Sequence, residues 1–177
     1  ADVWQINLSG TISGGNADSR MVFDVSGNVN NLIRFNAAST YLGATKIMGE
    51  AGDQGWTRLQ AVDNGLPTTT TLHLGGSGDE VGYFDLYGRN QELAGLVRTS
   101  GSTASSETLS VYNSHATTST LTLNIAAGIT NTYDGTIGKT TEGVGVQTWQ
   151  KGTNLALVKT GAGRLGLLGA NSYTGAT

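Results

Sequence analysis

The sequence predicts an all-β fold in which brief strands pile along one axis, a β-solenoid. Three observations lead there. Of 177 residues, 27 are Gly and only one is Pro, and glycine with abundant β-branched Thr disfavours helices. Apolar residues recur two apart in runs of about four to six, and these runs return about every ten to twelve residues, as strands do. A string near residue 40 also returns at the C-terminus, so the chain contains repeats. Short, evenly spaced strands fit a sandwich or a solenoid. The repeat selects the solenoid, where neighbouring coils bury each other's apolar faces.

Taken in order, residues 3–12 alternate apolar and polar positions, with Ile6 and Leu8 two apart, and read as a first strand. A turn at Ser13-Gly14-Gly15 precedes a strand over Met21–Val25, and Leu32–Phe35 form another. Further strands fall at Thr57–Val62, Thr71–Gly75, Tyr83–Gly88, Glu92–Leu96, Leu109–Asn113, Thr120–Ile125 and Thr132–Ile137. Asp63-Asn64-Gly65-Leu66-Pro67 is a turn that holds the single proline. Alternation points Leu72, Leu74, Phe84, Leu86, Leu121 and Leu123 inward and His73 outward.

The repeat is clearest where Thr40-Tyr41-Leu42-Gly43-Ala44-Thr45 returns as Ser172-Tyr173-Thr174-Gly175-Ala176-Thr177, 132 residues later. Leu32–Phe35 match Arg164–Leu167 loosely at the same offset, and Gly10-Thr11-Ile12 match Gly135-Thr136-Ile137 at an offset of 125. The expected organisation is one solenoid segment over 1–177, part of a longer chain, with 1–45 ending one unit and 46–177 forming a second. Neither end carries an amphipathic or charged cap, so the rungs are expected to continue into further chain or to pair with copies end to end.

The C-terminal stretch Leu155–Thr177 carries a resemblance. Lys159, Gly161, Gly163, Leu165, Leu167, Gly169, Asn171, Tyr173, Gly175 and Thr177 fill, position by position, the pattern of the autotransporter-associated β-strand repeat, also called the passenger-associated transport repeat. Arg164 departs from it, standing where the family has a small or polar residue. The turn at 63–67, the L-H-L-G and F-D-L-Y-G strands, and Gln91–Leu96 are similar to the spacer between family repeats, so the resemblance covers most of residues 30–177. It implies a right-handed parallel β-helix, a place on the bacterial surface, and a part in secretion.

Composition narrows the classes of function. The formal net charge is -3 with 10 Lys plus Arg and no basic run, which argues against nucleic acid as a partner. There are no cysteines, so neither disulfides nor thiolate metal sites arise. No stretch is apolar enough for a membrane helix, and no leader is visible. With 37% hydrophobic residues the chain is too apolar to be disordered by composition.

Candidate chemistry is sparse. Gly75-Gly76-Ser77-Gly78-Asp79-Glu80 is similar to a calcium-binding nonapeptide, but Asp79 comes one position early and the motif occurs once, while such sites need stacked copies to complete the oxygen set. A corner between coils is the plainer account. Asp53, Asp63, Asp79, Glu80 and Asp85, flanked by Arg58 and Arg89, lie close in sequence without the spacing of a glycosidase or lyase cluster. His73 and His115 have no ligand partners nearby, no G-x-S-x-G elbow occurs, and Gly143-Val144-Gly145 opens no helix. Tyr41 and Tyr173 belong to the repeat and read as scaffold. Trp56, after a Gly-Asp-Gln-Gly turn, is the one candidate binding residue, as a surface contact. The expected function is a non-catalytic structural or adhesive stalk of a secreted or cell-surface bacterial protein, without cofactor or metal. Its expected partners are adjoining repeats or copies of itself, and glycans or a matrix surface. The alternatives are a carbohydrate-binding or polysaccharide-degrading β-helix and a self-assembling extracellular filament.

Overall fold

The computed structural model describes residues 5–26, 31–51, 56–59, 62–139 and 152–177, and for Trp56, Arg58 and Leu59 the backbone alone. Within them the chain is a parallel β-solenoid, almost without helix. A six-stranded sheet contains β1 (Gln5–Leu8), β3 (Leu32–Phe35), β5 (Trp56–Leu59), β7 (Gly82–Asp85), β10 (Leu109–Tyr112) and β13 (Thr136–Ile137), in that spatial order. A second sheet stacks β2 (Arg20–Asp24), β4 (Ala44–Met48), β6 (Thr71–Leu74) and β9 (Gly95–Arg98). A third orders β14 (Leu155–Thr160), β11 (Ser119–Asn124) and β8 (Gln91–Leu93), and β12 (Thr130–Tyr133) pairs with β15 (Arg164–Leu167). The β12–β15 pair extends the second side of the coil: the Arg98 guanidinium meets Asp134 at 2.8 Å across the step from β9.

Every strand pair is parallel, and the register fixes the pitch. In the first sheet Ile6 faces Ile33, Ile33 faces Thr57, Thr57 faces Phe84, Phe84 faces Val111 and Val111 faces Ile137. Each rung thus lies 24–27 residues beyond the last. Parallel neighbours cannot be joined by a hairpin and need a long crossover. Here the remaining sides of the coil are that crossover.

The register also explains the core. Stacked positions share a face, so one inward residue per rung builds a continuous column. Phe84, Val111 and Ile137 are fully buried in one such column, and Leu72 and Leu96 in the next side's. All six residues expected inward, Leu72, Leu74, Phe84, Leu86, Leu121 and Leu123, are 0% exposed. Each contributes roughly 1.5–3 kcal/mol of transfer free energy. One run of buried polar groups forms a chain of hydrogen bonds: Tyr41 Oη and Thr45 Oγ1 lie 2.6 Å apart, Thr45 Oγ1 and Thr70 Oγ1 2.8 Å apart, and Thr70 Oγ1 donates to the Gly43 carbonyl. At the C-terminal copy of the repeat string Thr177 Oγ1 donates to Tyr173 Oη at 3.3 Å, the same residue pair.

Several element expectations are corrected. Of residues 3–12 only Gln5–Leu8 are strand, and 3–4 lie outside the described residues. Glu92–Leu96 is not one strand. The chain bends at Ala94, whose N–H bonds to the Thr70 carbonyl at 2.9 Å, and β8 and β9 lie on different sides of the coil. Thr132–Ile137 likewise breaks at Asp134-Gly135 between β12 and β13, which lie in different sheets, and the close approach of the Tyr133 ring and the Leu109 carbonyl leaves room only for glycine at 135. The two loose alignments are not equivalent in space. Leu32–Phe35 belong to the six-stranded sheet and Arg164–Leu167 to the second side, while Gly10–Ile12 form no strand and Thr136–Ile137 do.

Candidate functional site

The outer face of the second sheet is the first place where unengaged chemistry gathers. Strand alternation sends Thr45, Ile47, Leu72 and Leu74 inward and leaves Ala44, Lys46, Thr71 and His73 outward. Register sets Arg20 beside Ala44, and Lys46 beside both Val22 and His73. Where β4 begins, Gly43 turns the chain at a φ of 92°, and Leu42 is left 50% exposed. Leu42, Gly43, Ala44, Ala17, Thr69, Thr71 and His73 line an open cleft of about 410 Å³ there. Burial lowers the His73 pKa from its ordinary value, and the Arg20 and Lys46 charges push it the same way, so the imidazole is neutral at pH 7.

A second, smaller concavity of about 310 Å³ lies at a corner, bounded by Tyr87, Gly88, Arg89, His115 and Thr117. The Tyr87 and His115 rings meet edge to face with centroids 5.1 Å apart. His115 Nδ1 accepts the Thr117 N–H at 3.0 Å, which sets the neutral ring's proton on Nε2. This corner is a clasp, with the imidazole turned to the backbone.

The residues singled out in the sequence mostly serve that same scaffold. Trp56 opens β5 opposite Leu32, and its side chain lies outside the described residues, as do Asp53 and the Arg58 side chain. Asp63 accepts the Asn90 N–H at 2.8 Å. Asp85 is 0% exposed and accepts from the Tyr87 and Ser114 N–H groups at 3.0 Å and from the Ser114 hydroxyl at 2.6 Å. Asp79 is exposed, and Glu80 folds back over Gly76, where any side chain would collide with its carboxylate. Gly75–Glu80 is a corner that bridges the next coil, Gly78 to Ser102. His73 and His115 lie on different faces, and among the described residues no group of three or more His, Asp or Glu could hold a metal ion. Residues 143–145 lie outside the described residues.

The sequence reading missed a set of side chains that ties coil to coil. Asn113, 1% exposed, accepts the Gly88 N–H at 2.8 Å and the His115 N–H at 3.1 Å, and donates to the Thr117 and Asn154 carbonyls at 2.7 and 2.6 Å. Asn64 accepts the Glu92 N–H, and Asn90 accepts the Thr120 N–H, each at 2.8 Å. Gln91 lends its whole amide to Leu66, accepting the N–H at 3.1 Å and donating to the C=O at 3.0 Å, as a paired strand would. A polar residue at a corner, 25–30 positions from a matching corner, is the signal that finds them.

No protein-family model, no curated protein and no solved structure matches this chain.

Proposed function

We propose that this chain is a structural stalk segment of a secreted or cell-surface bacterial protein, built to hold length and to carry recognition on its outer loops. One observation carries the reading: the six-stranded ladder keeps its 24–27-residue pitch and adds a corner ladder of Asn, Asp and Gln side chains that crosses the same steps. Both run along one axis, so a load applied end to end falls on many backbone and side-chain hydrogen bonds. Two carboxylates belong to that lattice: Asp63 and Asp85 hold backbone N–H groups of neighbouring corners. The resemblance of Leu155–Thr177 to the autotransporter-associated repeat supports the location and the role in export.

Two measurements test it. Pulling the chain from its ends is expected to release coils one by one, in steps of about 80–95 Å for 24–27 residues drawn out to full length. Antibody raised against the chain is expected to label intact cells of the source organism. Extension without coil-sized steps would sink the mechanical reading, and labelling only after permeabilisation would sink the location.

A further inference from the structure

We propose that the cleft on the outer face of the second sheet is a binding site for a carboxylated saccharide, a recognition function beyond that of a stalk. The floor is apolar and open: Leu42 is 50% exposed, with Ala44 beside it. A large aliphatic side chain left in water at a concave corner suits the C–H face of a pyranose ring. Around the floor stand hydroxyl and imidazole groups, Thr69, Thr71 and His73, able to donate to or accept from ring hydroxyls. Beside the lining residues, by register on the same outer face, stand two cations. Arg20 is paired in register with Ala44, and Lys46 with His73.

The distinguishing observation is what these groups do not do. Among the described residues none of Arg20, Lys46, Thr69, Thr71 and His73 has a side-chain hydrogen bond or an ion pair. By contrast the corner residues Asn64, Asn90, Gln91 and Asn113 are all committed to neighbouring coils. The nearest acids in sequence do not neutralise these cations: Asp24 accepts the Ser26 N–H at 2.9 Å, and neither it nor Asp18 forms a salt bridge with Arg20. In line with that register, burial first and then the charges of Arg20 and Lys46 lower the proton affinity of His73. A cationic flank on a chain of net charge -3 favours an anion over a neutral sugar. A volume of about 410 Å³ lies within the usual range for small-ligand sites of about 300–1,000 Å³.

The repeat supplies an internal comparison. The position of Leu42 is held by Thr174 in the C-terminal copy of the string. The apolar floor therefore belongs to this copy and not to the repeat as such.

The test is calorimetric titration of the whole chain with trigalacturonic acid, with maltotriose as a neutral trisaccharide, and with a hexaglutamate peptide. Trigalacturonate is expected to bind at least about tenfold more tightly than maltotriose or hexaglutamate, and to weaken as NaCl is raised. The double change Arg20→Ala and Lys46→Ala is expected to weaken it by about tenfold or more, and Leu42→Thr by several-fold, each with an unchanged unfolding temperature. The salt titration on the unaltered chain stands in if a variant loses stability. Equal affinity for maltotriose, equal affinity for hexaglutamate, indifference to salt, or full binding by the double variant would each overturn the assignment. Loss of this site would leave the stalk reading intact, since the pulling and labelling experiments do not depend on it.

Discussion

Replacing Asn113 with Ala removes four hydrogen bonds that meet in one buried amide. The side chain is 1% exposed and reaches Gly88, His115, Thr117 and Asn154, residues of three successive coils. Each bond contributes a net of about 0.5–1.5 kcal/mol, and stranding a buried partner costs about 1–3 kcal/mol. The Gly88 N–H and the Asn154 C=O are the partners least able to find water, so the expected loss is about 3–5 kcal/mol. For a chain of this length that is about 6–20 °C in unfolding temperature. Asn113→Asp is the sharper probe. It keeps both acceptor bonds but turns a carboxylate toward the Thr117 and Asn154 carbonyls, 2.7 and 2.6 Å from the nitrogen it replaces. Asp is therefore expected to be at least as damaging as Ala at neutral pH, and to recover relative to Ala as acid protonates it and restores one donor. Asn90→Ala, which loses a single exposed bond to the Thr120 N–H, should cost about 1 kcal/mol or less. Urea unfolding followed by circular dichroism measures all three. An Asn113→Ala chain within about 1 kcal/mol of the parent would refute the claim that corner side chains bind the coils together.

Other expectations follow from single contacts. Leu72→Ala, in a fully buried column, should cost about 2–5 kcal/mol by denaturant unfolding. Gly43→Ala should be worse than Gly101→Ala: both sit at positive φ, 92° and 82°, but a methyl at Gly43 meets the Ser19 and Asn16 backbone, whereas nothing lies within 4 Å at Gly101. Lys139 is buried over the Tyr83 ring, and burial lowers its pKa from 10.5 to about 8. The unfolded chain then binds the extra proton between those values, so stability should rise from pH 8 toward 10.5 and be lost as the pH falls back through 8. The full swing is about 3 kcal/mol, and Lys139→Met should abolish it. Tyr41 and Tyr83, pushed up to about 12 by burial, act with the opposite sign, so stability they confer below pH 10 should disappear as the pH climbs through 12.

What the sequence made legible was whatever depends on alternation. Leu72 and Leu74 flank His73, and that spacing alone put two side chains in the core and one on the cleft wall. Phe84 and Leu86, and Leu121 and Leu123, obey the same rule. Corners were harder. Gly43 marks its turn by residue type, but the bend at Ala94 occupies one residue with no glycine or asparagine of its own, and only the pairing of Gln91 with Leu121 and of Gly95 with Thr71 separates the two strands. Asn113, Asn90 and Gln91 were invisible as a lattice for a different reason. Each reads as an ordinary turn or strand residue until the pitch is known, and the pitch varies: Leu121 lies 30 residues beyond its partner Gln91, and 36 before Leu157. The cleft was missed because its lining, Ala17, Leu42, Thr69 and His73, and the cations beside it, Arg20 and Lys46, come from three coils that only the register brings side by side.

Lys139 and Gly152 form an isolated antiparallel bridge, N–H to O at 3.1 and 2.9 Å, while the rungs on either side keep their parallel order. The bridge works as a collar. It ties the residues just after β13 to those that lead into β14, so β13 is anchored toward the third sheet as well as to β10, and neither strand can peel away before the bridge breaks.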